Sequence, residues 1–188
     1  MKVVIVTGSV CTGKTTVAKR LAKTAGFEYV DIKSILKKHK IEVGYDYKRK
    51  CKIIDVNRMN KSLIKIINER KNANNSLLKK IRATKDKKLI KNYQKKLVKA
   101  IIFDSHLSHY LPKKYVDLCI VTKCDLPILE RRLKKRGYHK DKVRENMDVE
   151  IFEICLNEAR EKEHKIFIID TTFPNKQLDV VKMMLKVE

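Results

Sequence analysis

The chain has 188 residues, a length that suits one compact domain, and 45 Lys and Arg against 22 Asp and Glu give it a formal net charge of +23. No run of about eighteen apolar residues is present, and no basic flank precedes an apolar stretch at the N-terminus, so we expect neither a membrane span nor a signal peptide. Five cysteines without a C-x-x-C pair argue against a disulfide framework or a zinc site and favour the reducing cytoplasm.

The first predicted strand, 3–7, leads into Gly8-Ser9-Val10-Cys11-Thr12-Gly13-Lys14-Thr15, and a predicted helix follows. This segment matches the G-x-x-x-x-G-K-[ST] phosphate loop in the strand–loop–helix setting that the motif requires. Backbone N–H groups of such a loop, together with the helix N-terminus, bind phosphate oxygens. Lys14 can lie between the outer phosphates of ATP, and the Thr15 hydroxyl can ligate Mg²⁺. The predicted nucleotide-binding residues of the loop are Gly8, Cys11, Gly13, Lys14, Thr15 and Thr16.

Short apolar runs alternate with amphipathic stretches along the rest of the chain, a pattern typical of α/β proteins with a parallel sheet. Further strands are predicted at 29–32, 100–104, 116–122 and 165–170. One helix is predicted between Asp125, as N-cap, and Gly137, and another over 143–162. We therefore predict a single P-loop domain over residues 1–188, with three αβα layers and a five-stranded parallel sheet.

The segment 70–99 carries twelve basic residues and only Asp86 as an acid, about half of the chain's excess charge. Apolar residues recur there at helical spacing, at positions 77, 81, 89, 93 and 97. We predict a basic helical insertion folded as a hairpin, with a turn at 83–86, that docks on the domain or on a partner. Such charge favours polyanions such as ATP or RNA, although a Lys-rich proteome with solvated basic surfaces would produce the same composition.

A second motif of the same nucleotide site is predicted where the apolar strand 100–104 ends in Asp104. This is the Walker B pattern, whose carboxylate holds Mg²⁺ or its waters. His106 follows two residues later on the same side. A neutral histidine there could orient a water or accept a proton near the γ-phosphate, or it could simply hydrogen-bond the loop. The sequence assigns no role to His109.

A basic run, 131–136, ends the helix that begins after Asp125 and precedes a short polar segment. Arginines on a mobile lid neutralise the transferring phosphoryl group in kinases, and Arg136 beside Gly137 is the best candidate. Cations favoured by the helix dipole explain Arg131 or Arg132 equally well.

In the order and spacing of its motifs the chain resembles the adenylate kinase isoenzyme 6 type, the small adenylate kinases that also act in ribosome assembly. Besides the phosphate loop, the motifs are Gly44-Tyr45-Asp46, Cys51-x-Ile53-x-Asp55, Asp104-Ser105-His106, Leu111-Pro112, Arg136-Gly137-Tyr138 and the stretch from Glu150 to Ala159. The resemblance implies ATP-dependent phosphorylation of AMP with Mg²⁺, and slow ATP hydrolysis tied to Asp104 and His106. It also implies a monophosphate-binding segment at 31–54, a short lid at 135–145, and partners in a small-subunit ribosomal protein and rRNA.

Two departures from that family bear on specificity. Ser34 and Lys37 stand where relatives usually carry Asp and Arg, and Lys37 lacks the bidentate fork of arginine. Val10-Cys11 replaces Pro-Gly, so a thiol lies in the phosphate loop. The alternatives are therefore an ATP-driven assembly factor whose AMP kinase activity is incidental, and a kinase for another nucleoside monophosphate. Base contacts are expected at 171–174.

Overall fold

The computed structural model describes residues 1–49 and 51–172 together with positions 179, 181, 183 and 185. The predicted base-contact residues Phe173 and Pro174 lie outside this part of the chain. The elements in chain order are β1 (Lys2–Gly8), α1 (Lys14–Ala25), β2 (Glu28–Asp31), α2 (Ile32–Lys38), β3 (Glu42–Asp46), β4 (Cys51–Ile54), α3 (Val56–Ala83), α4 (Lys87–Lys96), β5 (Ala100–Asp104), β6 (Leu118–Lys123), α5 (Leu126–Lys135), α6 (Lys140–Ile151), α7 (Ile154–Glu161) and β7 (Ile166–Asp170).

A five-stranded parallel sheet in the order β2-β5-β1-β6-β7 forms the centre of the described structure, as the sequence predicts. The central strand β1 pairs with β5 on one side, where Val6 lies opposite Asp104, and with β6 on the other, where Gly8 lies opposite Thr122. Since parallel strands end at the same edge, this register brings the phosphate loop and the Asp104 carboxylate to one edge of the sheet.

The sheet is covered on both faces, which gives the predicted three αβα layers. Alternate residues of β1 point to opposite sides: Val3 and Ile5 pack with residues of α2, α3 and α7, whereas Val4 and Val6 pack with α1. All four side chains are buried. Burial on both faces explains why these strands read as continuous apolar runs in the sequence.

The basic hairpin is anchored by Asn74, a buried residue of α3. The Asn74 side-chain amide donates to Val98 O at 2.8 Å, and its Oδ1 accepts from Val98 N at 3.0 Å. The turn predicted at 83–86 is confirmed, since α3 ends at Ala83 and α4 begins at Lys87. The first arm is not a separate element, however, because it continues a 28-residue helix whose N-terminal half packs in the core.

Three details differ from the sequence prediction. Ile32 begins α2 rather than ending β2, because the Asp31 side chain accepts a hydrogen bond from Lys33 N and caps the helix. The helix predicted over 143–162 is broken into α6 and α7 at Glu153, which has a left-handed φ of 51°. The exposed antiparallel hairpin of β3 and β4 was not predicted as strands. No helix in the described part of the chain has the length and apolar content needed to cross a bilayer.

Candidate active site

The phosphate loop follows β1 and needs glycine at two positions. Gly8 has a φ of 139°, and a Cβ added there would lie 2.5 Å from Thr122 O, far closer than real contacts allow. Gly13 has a φ of 88° and its carbonyl accepts a hydrogen bond from Val17 N at 3.0 Å, so it is the N-cap of α1. The motif glycines therefore permit both the turn and its close approach to β6.

Side chains within the loop fix its shape. Thr12 Oγ1 donates to Ser9 O at 2.8 Å and lies 2.7 Å from Thr122 Oγ1 on β6. Cys11 adopts a left-handed φ of 67°, a conformation that side-chain-bearing residues rarely take, so the surrounding contacts hold it there. Its sulfur lies 3.8 Å from Arg136 Nη1.

Lys14 is half-buried, and its ammonium donates to Gly8 O at 2.9 Å and to Ser9 O at 2.6 Å. Burial lowers its pKa to about 8, although the negative charges of Asp104 and Glu150 oppose this effect. Lys14 thus lies against the phosphate-binding loop. When a nucleotide binds, its ammonium can donate to phosphate oxygens in place of these carbonyl oxygens. Thr15 and Thr16 are exposed at the start of α1 and line the same cleft.

The predicted Walker B carboxylate, Asp104, is buried at the end of β5. Its Oδ1 accepts a hydrogen bond from Tyr29 Oη at 3.3 Å, whereas its buried Oδ2 has no partner among the described residues. A buried carboxylate oxygen without a donor is costly unless a ligand satisfies it. A free carboxylate oxygen on Asp104 and the exposed Thr15, which line the same cleft, fit Mg²⁺, which takes few protein ligands and completes its shell with phosphate and water.

His106 lines the cleft and stays exposed on its open side. The turn that carries it is fastened to β1, because Ser105 N and Ser108 Oγ both donate to Val6 O, at 3.2 and 3.0 Å. Burial by the cleft walls and the positive charge of Lys14 lower the His106 pKa from 6.5 to about 4. The imidazole is therefore neutral at neutral pH, the form that can accept a proton.

His109, to which the sequence assigned no role, is fully buried beneath this turn. Its Nδ1 lies 2.7 Å from Thr7 Oγ1 at the end of β1, and its Nε2 lies 2.9 Å from Glu158 Oε2 on α7. A neutral ring with its proton on Nε2 accepts from Thr7 and faces the carboxylate with an N–H. His109 thus joins β1 to α7 under the His106 turn, a contact between residues too distant in sequence for any motif to indicate.

The predicted lid region includes the turn between α5 and α6, where Gly137 has a φ of 80°. Arg136 is exposed, lies over the Tyr138 ring and lines the cleft. Arg132, one turn earlier, is more firmly held, because its Nη1 lies 3.3 Å from Thr171 Oγ1 and 3.5 Å from Cys11 O. Both arginines face the phosphate loop, whereas Arg131 is exposed and is not part of the cleft wall.

The segment 31–54 contributes Lys33, Arg49 and Cys51 to the cleft. Ser34 instead donates from its Oγ to Asp31 Oδ2, the N-cap of α2, at 3.0 Å, and Lys37 is exposed outside the cleft wall. The departures at Ser34 and Lys37 are therefore not part of the cleft wall, whereas the departure at Cys11 is. Lys33 and Arg49, which sequence reasoning missed, supply its positive charge from this side.

These groups surround one cleft of about 1080 Å³, large enough for nucleotide-sized ligands. Its walls are the phosphate loop, the start of α1, the end of β5 with its following turn, the β3–β4 hairpin, and α5 with α6. All the sequence-predicted site residues except Gly8, which forms the base of the loop, line this cleft: Cys11, Gly13, Lys14, Thr15, Thr16, Asp104, His106 and Arg136. The structure thus brings cations from three separate segments to the cleft that Asp104 lines.

Comparison with known proteins agrees with this geometry. An AAA domain family profile matches residues 4–153. A protein of Methanocaldococcus jannaschii named "Putative adenylate kinase" is 32% identical over 90% of this chain and 76% of its own length. The "Adenylate kinase isoenzyme 6 homolog" of Schizosaccharomyces pombe is 30% identical over 84% of this chain and 74% of its own length. A solved sugar kinase from Janibacter shares the fold, with a TM-score of 0.58 at 17% identity over 100% of this chain and 95% of its own. The chain belongs to the AAA domain family and, within the P-loop nucleoside monophosphate kinases, to the adenylate kinase isoenzyme 6 type.

Proposed function

We propose that the protein is an adenylate kinase that transfers the γ-phosphoryl group of Mg-ATP to AMP. The observation that carries the proposal is the arrangement of charge in the cleft. Lys14 lies at the phosphate loop, Arg136 at the lid and Lys33 at the segment 31–54, and all three face the cleft that holds the free oxygen of Asp104. Two phosphorylated substrates meeting end to end need cations on both sides of the transferred group.

Each residue then has a defined task. The loop N–H groups and Lys14 bind the ATP phosphates, and Arg136 approaches from the lid as charge develops on the moving phosphoryl group. Thr15 and Asp104 hold Mg²⁺, which neutralises phosphate charge when bound. Lys33 and Arg49 bind the phosphate of AMP, so that its oxygen is oriented toward the γ-phosphorus.

The same site accounts for slow ATP hydrolysis when AMP is absent. The neutral His106 imidazole lines the same cleft as Lys14, whose charge acts on it, and would orient a water and accept its proton there. Hydrolysis would be slow because water is not bound by the Lys33 side of the cleft and must be positioned by one side chain alone.

The test is the initial rate of ADP formation from Mg-ATP alone and with AMP, CMP or UMP. A large increase with AMP only is expected. Increases with CMP or UMP alone would favour a different monophosphate kinase, and a slow rate indifferent to every acceptor would contradict the kinase proposal. A Lys33→Ala variant should raise the KM for AMP roughly tenfold, because a charge-assisted hydrogen bond contributes about 1.5 kcal/mol. The matched variant Lys37→Ala should leave it unchanged.

A second function, ATP-controlled binding to small-subunit rRNA and a ribosomal protein, is favoured by the basic hairpin. Ten of its cations are exposed, and none forms an ion pair with another residue in the described part of the chain. They are Lys71, Lys79, Lys80, Arg82, Lys85, Lys87, Lys88, Lys91, Lys95 and Lys96. Uncompensated positive charge of this density on a projecting helical pair matches a phosphate backbone.

The RNA function is tested by replacing Lys88, Lys91 and Lys95, which share one face of α4, with Gln. RNA affinity should fall, and the slope of log affinity against log salt should decrease by about 2 to 3, since each lost phosphate contact removes just under one unit. The control replaces three exposed lysines outside the hairpin, Lys23, Lys61 and Lys65. Equal losses in both variants would show that net charge alone attracts RNA, and ATP hydrolysis that ignores RNA would contradict an assembly cycle.

A further inference from the structure

Glu150, in the last turn of α6, is a buried acidic residue that the proposed reaction does not use. Its exposure is only 6%. Burial of a carboxylate costs several kcal/mol unless hydrogen bonds or cations compensate, so the partners of a buried glutamate indicate what it holds in place.

Both oxygens of Glu150 accept hydrogen bonds from the phosphate-loop side of the sheet. Ser9 Oγ donates to Oε2 at 2.5 Å, and Cys124 N, directly after β6, donates to Oε1 at 3.1 Å. One carboxylate thereby joins three elements that are far apart in sequence: the phosphate loop, the end of β6 and α6. Ser9 is itself buried, at 3% exposure.

Ser9 is the residue through which this contact reaches the nucleotide site. Its carbonyl accepts hydrogen bonds from Lys14 Nζ at 2.6 Å and from Thr12 Oγ1 at 2.8 Å. A shift of Ser9 would therefore move the acceptor that holds the Lys14 ammonium and the side chain that shapes the loop. A continuous chain of contacts leads from Glu150 through Ser9 to Lys14.

The other end of this chain is the lid. Helix α6 begins at Lys140, within the predicted lid, and its Asn146 and Val149 line the cleft before the helix reaches Glu150. The helix is twelve residues long, about 18 Å. Because this one helix carries both residues that line the cleft and Glu150, a displacement of its N-terminal end would also act on the carboxylate that holds Ser9.

We propose that Glu150 is a positioning residue that joins the phosphate loop to α6 by hydrogen bonds. It thereby keeps Ser9 and Lys14 in the arrangement that binds the nucleotide. The inference rests on the proposed function only in that this loop binds the phosphates of ATP or ADP. Glu150 does not contact substrate; it acts through Ser9.

The coupling between Glu150 and Ser9 gives the proposal a readout that a purely structural residue would lack. Because Glu150 acts on the loop through its hydrogen bond from Ser9, loss of either partner should weaken ADP binding by a similar factor. Loss of both partners should weaken it no further, since the second change removes a contact that is already lost.

The experiment measures ADP affinity by calorimetry at neutral pH for wild type, Glu150→Gln, Ser9→Ala and the double variant. The matched control is Asp148→Asn, which removes the same charge from an exposed position of the same helix outside the cleft wall. Glu150→Gln and Ser9→Ala should each weaken ADP binding roughly tenfold, as expected for a lost hydrogen bond to a charged group. The double variant should bind ADP no more weakly than Glu150→Gln.

Asp148→Asn should bind ADP as wild type does. The proposal is overturned if Glu150→Gln matches Asp148→Asn in ADP affinity and differs only in its unfolding midpoint, or if the Ser9 and Glu150 effects on ADP affinity add independently. Should Glu150→Gln not fold, the ADP affinity of Ser9→Ala is compared with that of Asp148→Asn instead. Ser9→Ala removes the hydrogen bond between Ser9 and Glu150 without removing the buried carboxylate. Failure of the wild-type protein itself to bind ADP would instead contradict the proposed function.

Discussion

Nucleotide affinity should fall as pH rises, because Lys14 binds phosphate only while it is protonated. Burial lowers its pKa to about 8 in the free protein, and phosphate oxygens beside the ammonium raise it in the complex. Below the free pKa the ammonium is already charged and affinity is at its maximum. Above it, binding must take up a proton, so the dissociation constant rises. Linkage gives an ADP affinity about tenfold weaker at about pH 9 than at about pH 7, or about 1.4 kcal/mol.

Calorimetric titration of ADP in two buffers of different ionisation enthalpy measures both the affinity and the proton uptake. Uptake should approach about 0.9 proton at about pH 9 and fall to about 0.1 at about pH 7. A Lys14→Met variant should bind weakly at every pH. An affinity that stays constant to about pH 9, or an equally steep decline in Lys14→Met, would refute the reasoning.

Three further predictions concern single residues. His106→Asn should abolish slow ATP hydrolysis while ADP affinity stays unchanged, and full hydrolysis in the variant would reduce His106 to a structural residue. Wild-type hydrolysis should show no titration step near the ordinary histidine pKa of about 6.5, because the His106 pKa is lowered to about 4. Asn74→Ala should lower the free energy of unfolding in urea by about 2–3 kcal/mol, because the N–H and C=O of Val98 both lose their partner. The control Asn75→Ala, at the exposed neighbouring position, should change it by less than about 0.5 kcal/mol, and similar losses in both variants would contradict the anchoring role of Asn74. Alkylation of Cys11 by N-ethylmaleimide should block ADP binding, and bound ADP should prevent the alkylation. ADP binding to Cys11→Ser should resist N-ethylmaleimide, whereas ADP binding to Cys51→Ser should stay sensitive to it. Undiminished ADP affinity after complete modification of Cys11 would count against a thiol at the phosphate site.

The sheet and the phosphate loop could be predicted because their signals are local. Strands buried on both faces read as apolar runs, and the loop glycines meet steric demands that no other residue satisfies. The break at Glu153 has no such signal: neither glycine nor proline stands there, and the left-handed residue is a glutamate whose carboxylate pairs with Lys123. Tertiary contacts, rather than local propensity, end α6 at that point.

The candidate site likewise combines residues that local motifs indicate with residues that only the fold brings together. Lys14, Asp104 and His106 belong to contiguous motifs, so the sequence could place them in one candidate site, and the structure brings all three to one cleft. Ser9 and Glu150 stand 141 positions apart, so their contact exists only once the fold has formed. Lys33 was missed for a different reason, since the family pattern drew attention to Ser34 and Lys37, and only the orientation of α2 shows which side chain of this turn lines the cleft.

The two hydrogen bonds between Asn74 and Val98 have an evolutionary consequence. They bring the ends of the excursion 75–97 together on the core, so the chain between them can lengthen or shorten at its tip without displacing β5. Lengthening a closed loop is inexpensive, at about 0.6 kcal/mol for each doubling. Homologues can therefore vary in size and charge at this place while their catalytic cleft stays the same, and the hairpin can acquire new partners under selection that does not act on the kinase reaction.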